Sequence, residues 1–132
     1  MTQTATNKQV MQSAFAEMAQ GNTKPFVDTW ADDFCWTCNG TTRWSGTYQG
    51  KQAILDDLFK PLYEKFASRY TSAATRFIAE DDIVVVECQG KVLTKTGKRY
   101  DNTYCLVCRF EGGKMRELTE YLDTELVTAA LT

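Results

Sequence analysis

Outside 34–49, apolar residues recur at three- and four-residue spacing up to about residue 66, and from Ser68 onward polar and apolar positions alternate every second residue. The first spacing places side chains on one face of a helix, and the second on one face of a strand. Helices therefore come first in this chain and a sheet second. Val10, Met11, Ala14, Phe15 and Met18 form one helical stripe, opened by the capping-box spelling Thr6-Asn7-Lys8-Gln9 and closed by Gly21-Asn22. Thr23 and Pro25 start a second, short helix that buries Phe26, Val27, Trp30 and Ala31 and stops at Asp32-Asp33. The run 50–65 predicts a third helix, kinked near Lys60 because Pro61 interrupts its stripe.

Phe34–Cys38 alternates as an early strand, and 39–49 reads as a Gly-, Ser- and Thr-rich loop carrying Trp44 and Tyr48. Strands are predicted at about 69–79, 83–94, 99–110 and 114–122, separated by Glu80-Asp81-Asp82, Lys95-Thr96-Gly97 and Glu111-Gly112-Gly113. Connections this short join antiparallel neighbours. Tyr100, Asn102, Tyr104, Leu106, Cys108 and Phe110 share one face of the third of these strands. The tail 124–131 is weakly helical. The layout is α+β: a curved antiparallel sheet wrapped around N-terminal helices, a cone whose mouth has room for a ligand.

At 132 residues, 43% hydrophobic and 24% charged, the chain is one ordinary globular domain, residues 1–132. A net charge of −2 argues against nucleic-acid binding. No apolar run approaches a membrane span and the first twelve residues lack a signal-peptide core, so the expected compartment is cytoplasm. The chain has no histidine, which excludes Ser-His-Asp and Cys-His nucleophilic systems and two-His-one-carboxylate iron sites. Proton chemistry must run on Asp, Glu, Tyr, Lys or Cys. Cys35-x-x-Cys38 and Cys105-x-x-Cys108 have a zinc-ribbon spelling. Both pairs fall within predicted strands, where residues three apart face opposite ways, so buried free thiols are expected and no metal. No cofactor is expected either, since no phosphate-binding Gly-rich loop occurs.

Three runs, Trp30-Ala31-Asp32-Asp33-Phe34, the loop from Trp44 to Lys51, and Gly113 through Asp123, occur in an order that resembles the SnoaL-like branch of the nuclear transport factor 2 and ketosteroid isomerase superfamily. The resemblance covers nearly the whole chain. It implies a conical α+β barrel with an apolar, partly polar-lined cavity, dimeric through its sheet, in a superfamily of isomerases, cyclases, hydrolases, dehydratases and binding modules. The residue taking the place of the ketosteroid isomerase base is Cys38, and the first helix has no tyrosine, which disfavours that reaction. Epoxide hydrolases of the superfamily pair a terminal-strand acid, matching Asp123, with an Arg-x-Asp where this chain has Glu87-Cys88-Gln89.

These readings make Asp123 and Glu87 the candidate catalytic pair of a small-molecule acid/base enzyme, an isomerase, hydrolase or cyclase; the alternative is a non-catalytic ligand-binding or dimerisation module. Two placements are open for each acid. Asp123 either lines the cavity with a raised pKa or caps the last helix, and Glu87 either projects inward or lies on a solvated outer face. Asn102, Tyr104 and Gln89 are the candidate polar contacts to substrate; Trp36, Trp44, Tyr48, Phe59, Tyr63 and Tyr121 are candidate walls. The partners implied are a small, largely apolar molecule and a second copy of the chain.

Overall fold

The computed structural model describes residues 2–132. Helix α1 spans Gln3–Met18 and buries Met11, Ala14, Phe15 and Met18, the predicted stripe. It starts earlier than the capping box suggests. Thr2 is the cap, its hydroxyl accepting from the Ala5 amide, while Thr6 Oγ1 donates back to the Thr2 carbonyl. Helix α2 is Lys24–Asp28, with Pro25 in its first turn.

Strand β1 runs from Trp30 to Cys38, four residues longer at its start than the alternation predicts. Asp32 and Asp33 are exposed in an irregular stretch between the Trp30 and Cys35 pairings, which hides the strand in the sequence. Part of the predicted loop is also strand: β2, Gly46–Gln49, pairs antiparallel with β1. Its four residues are too few, and too polar, to alternate visibly. Residues 51–63 form one helical segment: α3 at Lys51–Ala53, a π-helical stretch at Ile54–Phe59, and α4 at Lys60–Tyr63. Pro61 has no amide hydrogen and its ring would press on the carbonyl four residues back, so the widened turn sits where the kink is predicted.

Strands β3 (Thr71–Glu80), β4 (Ile83–Lys91), β5 (Thr103–Glu111) and β6 (Lys114–Leu122) follow as antiparallel neighbours, and α5 (Thr124–Leu131) closes the described chain. The sheet order is β2-β1-β6-β5-β4-β3, with β1 and β6 parallel. The sheet is curved and open, with β2 and β3 as its edges. A bulge at Thr75 changes the phase of β3. Ser72 and Ala74 face the helices before it, Phe77 and Ala79 after it.

The core lies between the concave sheet face and the helices. Phe15 meets Phe77 edge-on at 6.1 Å, and Trp30 sits among Phe26, Phe34, Trp36 and Phe59 at ring distances from 4.8 to 5.9 Å. Full burial of such a side chain stabilises by about 2–3 kcal/mol. The predicted face of 99–110 is buried throughout, from Tyr100 to Phe110, although β5 itself starts only at Thr103. Among the described residues no helix is long and apolar enough to cross a membrane.

Candidate functional site

The core is not completely filled. Between α1, the 51–63 segment and the concave sheet face lies a cavity of about 70 Å³ with mainly apolar walls. Phe59 and Tyr63 stack at 5.8 Å on one side, Phe66 and Tyr70 at 5.9 Å beside them, and Trp36 meets Phe59 edge-on at 5.3 Å. Leu58 and Phe59 reach the cavity from the π-helical stretch.

Into these walls β6 projects one carboxyl, Glu120. Its backbone lies between Cys38 of β1 and Leu106 of β5, both facing the same way. Glu120 Oε1 accepts a 3.4 Å hydrogen bond from the Trp36 indole N–H, and the Cys38 thiol bears on the same carboxyl. The side chain is surrounded by protein, yet the residue remains half-exposed because it faces the void. Desolvation raises its pKa from 4.5 to about 7, against the smaller lowering effect of Cys38 and Trp36. Among the described residues no lysine or arginine lines the cavity. Glu120 therefore divides between acid and carboxylate near neutrality, the condition for proton transfer in either direction.

Tyr70, Tyr100 and Tyr104 line the cavity as well, Tyr104 on β5 two residues from the Leu106 that pairs with Glu120. The hydroxyls of Tyr70 and Tyr100 both bear on Tyr104, and Asn102 Nδ2 donates to Tyr100 Oη at 3.4 Å. Burial raises Tyr100 and Tyr63 to about 12, and Tyr70 and Tyr104 well above the ordinary value, so all four remain protonated donors at neutral pH. Gly90 makes this arrangement possible. A Cβ there would fall 2.7 Å from Tyr70 Oη and 3.1 Å from the Tyr104 ring.

The SnoaL-like domain family matches residues 11–118. The chain belongs to that family. A search of curated proteins found no significant match to this SnoaL-like protein. Among solved structures, Bal32a, from a soil-derived mobile gene cassette, shares 19% identity at TM-score 0.80, with 98% of each chain covered. A nuclear transport factor 2-like protein of Burkholderia thailandensis shares 22% at 0.80, covering 96% of this chain and 97% of its own. TerC, co-crystallised with polyporic acid, shares 17% at 0.79, covering 96% and 98%. At these identities the likeness establishes the fold.

Of the residues singled out from the sequence of this SnoaL-like protein, Trp36, Phe59, Tyr63 and Tyr104 line the cavity. The others lie elsewhere. Asp123 is exposed, and its Oδ1 accepts from the amides of Glu125 and Leu126 at 3.1 and 3.2 Å, capping α5. Glu87 is on the convex face, paired with Arg76 at 2.8 Å, because it follows the buried Val86 by one residue. Gln89, on the same face, is bound to the Asp101 carbonyl and Thr103 Oγ1; Tyr121 there is 45% exposed. Asn102 is fully buried, but its amide is taken up by the Asp123 and Thr103 backbone. Tyr48 donates to the Trp44 carbonyl, and Trp44 packs under its own loop beneath Arg43. The CxxC pairs split as expected, Cys38 and Cys108 buried, Cys35 and Cys105 half-exposed.

Sequence reasoning missed Glu120, Tyr70 and Ser72. Leu118, Glu120 and Leu122 alternate with Glu117, Thr119 and Tyr121, so an acid between two leucines was the available signal. As a cap, Asp123 has a clear signature: Asp123→Ala lowers stability by about 1 kcal/mol and Asp123→Asn by a few tenths at most. Urea unfolding measures both, and neither substitution alters ligand binding in the cavity.

Proposed function

We propose that this protein binds a small uncharged molecule in the cone cavity and transfers a proton on it, as an isomerase-, hydrolase- or cyclase-type enzyme. The proton-transfer group is Glu120, in place of Asp123 and Glu87. The observation that carries this reading is a single carboxyl facing the void from walls that hold no cation. Its pKa of about 7 lets it serve as general acid or general base. Trp36 and Cys38 fix its orientation, and the Tyr70 and Tyr104 hydroxyls are donors for oxygen charge developing on the substrate. Family membership, and the ligand named for TerC, favour a small organic molecule here.

The test is a carbon-13 carboxyl titration, with Glu120→Gln as assignment control. A midpoint near 7 is expected, and one near 4.5 sinks the proposal. A non-catalytic binding module is the second reading, favoured by the small volume of the cavity. In that case Glu120→Gln leaves ligand affinity intact and no substrate of the wild type turns over. The proposal extends to a cytoplasmic homodimer joined through the convex sheet face, where Ile78 is 50% exposed and Val85 and Val107 are half-buried.

A further inference from the structure

Among the polar atoms around the cavity, Ser72 Oγ stands apart. Ser72 is on the inner face of β3, opposite Gly90, and is only 2% exposed. It lines the cavity, and its hydroxyl has no hydrogen-bond partner among the described residues. The Cys88 thiol on β4 bears on this hydroxyl, but sulfur is a weak donor and acceptor and the pair falls outside hydrogen-bond geometry, so the contact does not replace a true partner. Burying a hydroxyl unpaired lowers stability, and a methyl group would fit the same space at no packing cost. Ala74, next on that face, shows that alanine suits this strand. A side chain that weakens the fold and points into a void is accounted for by a partner the chain does not contain.

We infer that Ser72 is the specificity-determining anchor of the cavity, a hydroxyl reserved for the polar atom of an uncharged, single-ring ligand bearing a hydroxyl or carbonyl group. This rests on the cavity being the binding site proposed above. Its volume of about 70 Å³ lies well below the ~300 Å³ of the smaller drug-sized pockets, which limits the occupant to one ring at most, admitted as the walls give way around it. The aromatic walls of Phe59, Tyr63, Phe66 and Tyr70 suit a flat body. Burial holds the Cys88 thiol protonated, its pKa pushed to about 12, so the Ser72 end carries no charge. An anionic ligand would meet Glu120 and find no cation. An uncharged hydroxyl or carbonyl pairs with Ser72 without any such cost.

The experiment uses phenol, toluene and benzoate as probes, with affinities from amide chemical-shift titrations of wild type and Ser72→Ala. Wild type binds phenol and toluene and excludes benzoate. Ser72→Ala weakens phenol about fivefold, the worth of one neutral hydrogen bond, and changes toluene by less than about twofold. Without ligand, Ser72→Ala melts about 3 °C higher, because an unpaired buried hydroxyl has gone. Lower melting would show that Ser72 has an internal partner and would overturn the inference. An equal effect on phenol and toluene, no effect on phenol, or benzoate binding as tight as phenol also overturns it, while leaving the cavity as the binding site. Failure of all three probes to bind wild type removes the binding site itself, and the role of Ser72 with it.

Discussion

Glu120→Gln is expected to flatten the fall of stability with pH between 4.5 and about 7, the interval separating the ordinary carboxyl from the buried one. A carboxyl whose folded-state pKa is raised binds its proton more tightly in the native protein than in the unfolded chain. Its contribution is complete below the unfolded pKa and disappears as pH rises through the folded one. At about 1.4 kcal/mol per unit, the interval amounts to as much as ~3 kcal/mol, less whatever relief water in the cavity gives the carboxylate. Glutamine preserves the acceptor facing the Trp36 indole and cannot ionise. Urea midpoints at about pH 5 and about pH 8 should therefore separate widely for wild type and little for Glu120→Gln. Parallel pH profiles for the two proteins would show that Glu120 is not desolvated, and would remove it as the proton-transfer group.

Asn102→Ala is expected to be the most damaging single truncation of a polar residue in or beside the cavity. Asn102 Oδ1 accepts from the amides of Thr103 and Asp123, at 2.8 and 3.1 Å, while Nδ2 donates to the Asp123 carbonyl at 3.1 Å and toward Tyr100 Oη. One side chain thus ties the start of β5 to the junction between β6 and α5. Removing it strands buried backbone groups and opens a small void, which together cost about 3 kcal/mol. The loss should appear in the urea midpoint with the slope unchanged. A stable Asn102→Ala protein with weakened ligand binding would instead make Asn102 a contact to substrate.

The sequence was most informative where burial and periodicity coincide. Every second residue from Tyr100 to Phe110 is buried, as its alternation implies, and Pro61 marks the irregular turn of the third helical segment. The end of β6 was harder to read. Met115 and Leu118 are both buried although three apart, because the pairing with β5 shifts between Arg109 and Phe110. With the phase of the strand uncertain, an acid on the concave face and one beyond its end look equally well placed. Asp123 also satisfies the rules for a helix cap, and nothing local in the sequence separates a cap from a pocket residue. The void arises from how three helical segments meet a curved sheet, and no short stretch of sequence encodes that meeting. Ser72 was illegible for another reason. An unpaired hydroxyl is defined by what fails to surround it, and that is known only once every neighbour has been placed.

The bulge at Thr75 bears on how molecules of this protein meet one another. Strand β3 is a free edge, and an unpaired edge is a template on which a neighbouring chain can extend the sheet. A flat strand of ten residues would offer that template along its whole length. The extra residue breaks it near the middle, increases the local twist, and turns the charged Arg76 and Glu80 onto the convex side. A second strand laid along β3 would have to absorb the same shift in register that β4 absorbs on the other side, bending where a straight edge would ask for no bend. The same irregularity that places Phe77 against α1 thus makes β3 a poorer template for edge-to-edge pairing than a flat strand of its length.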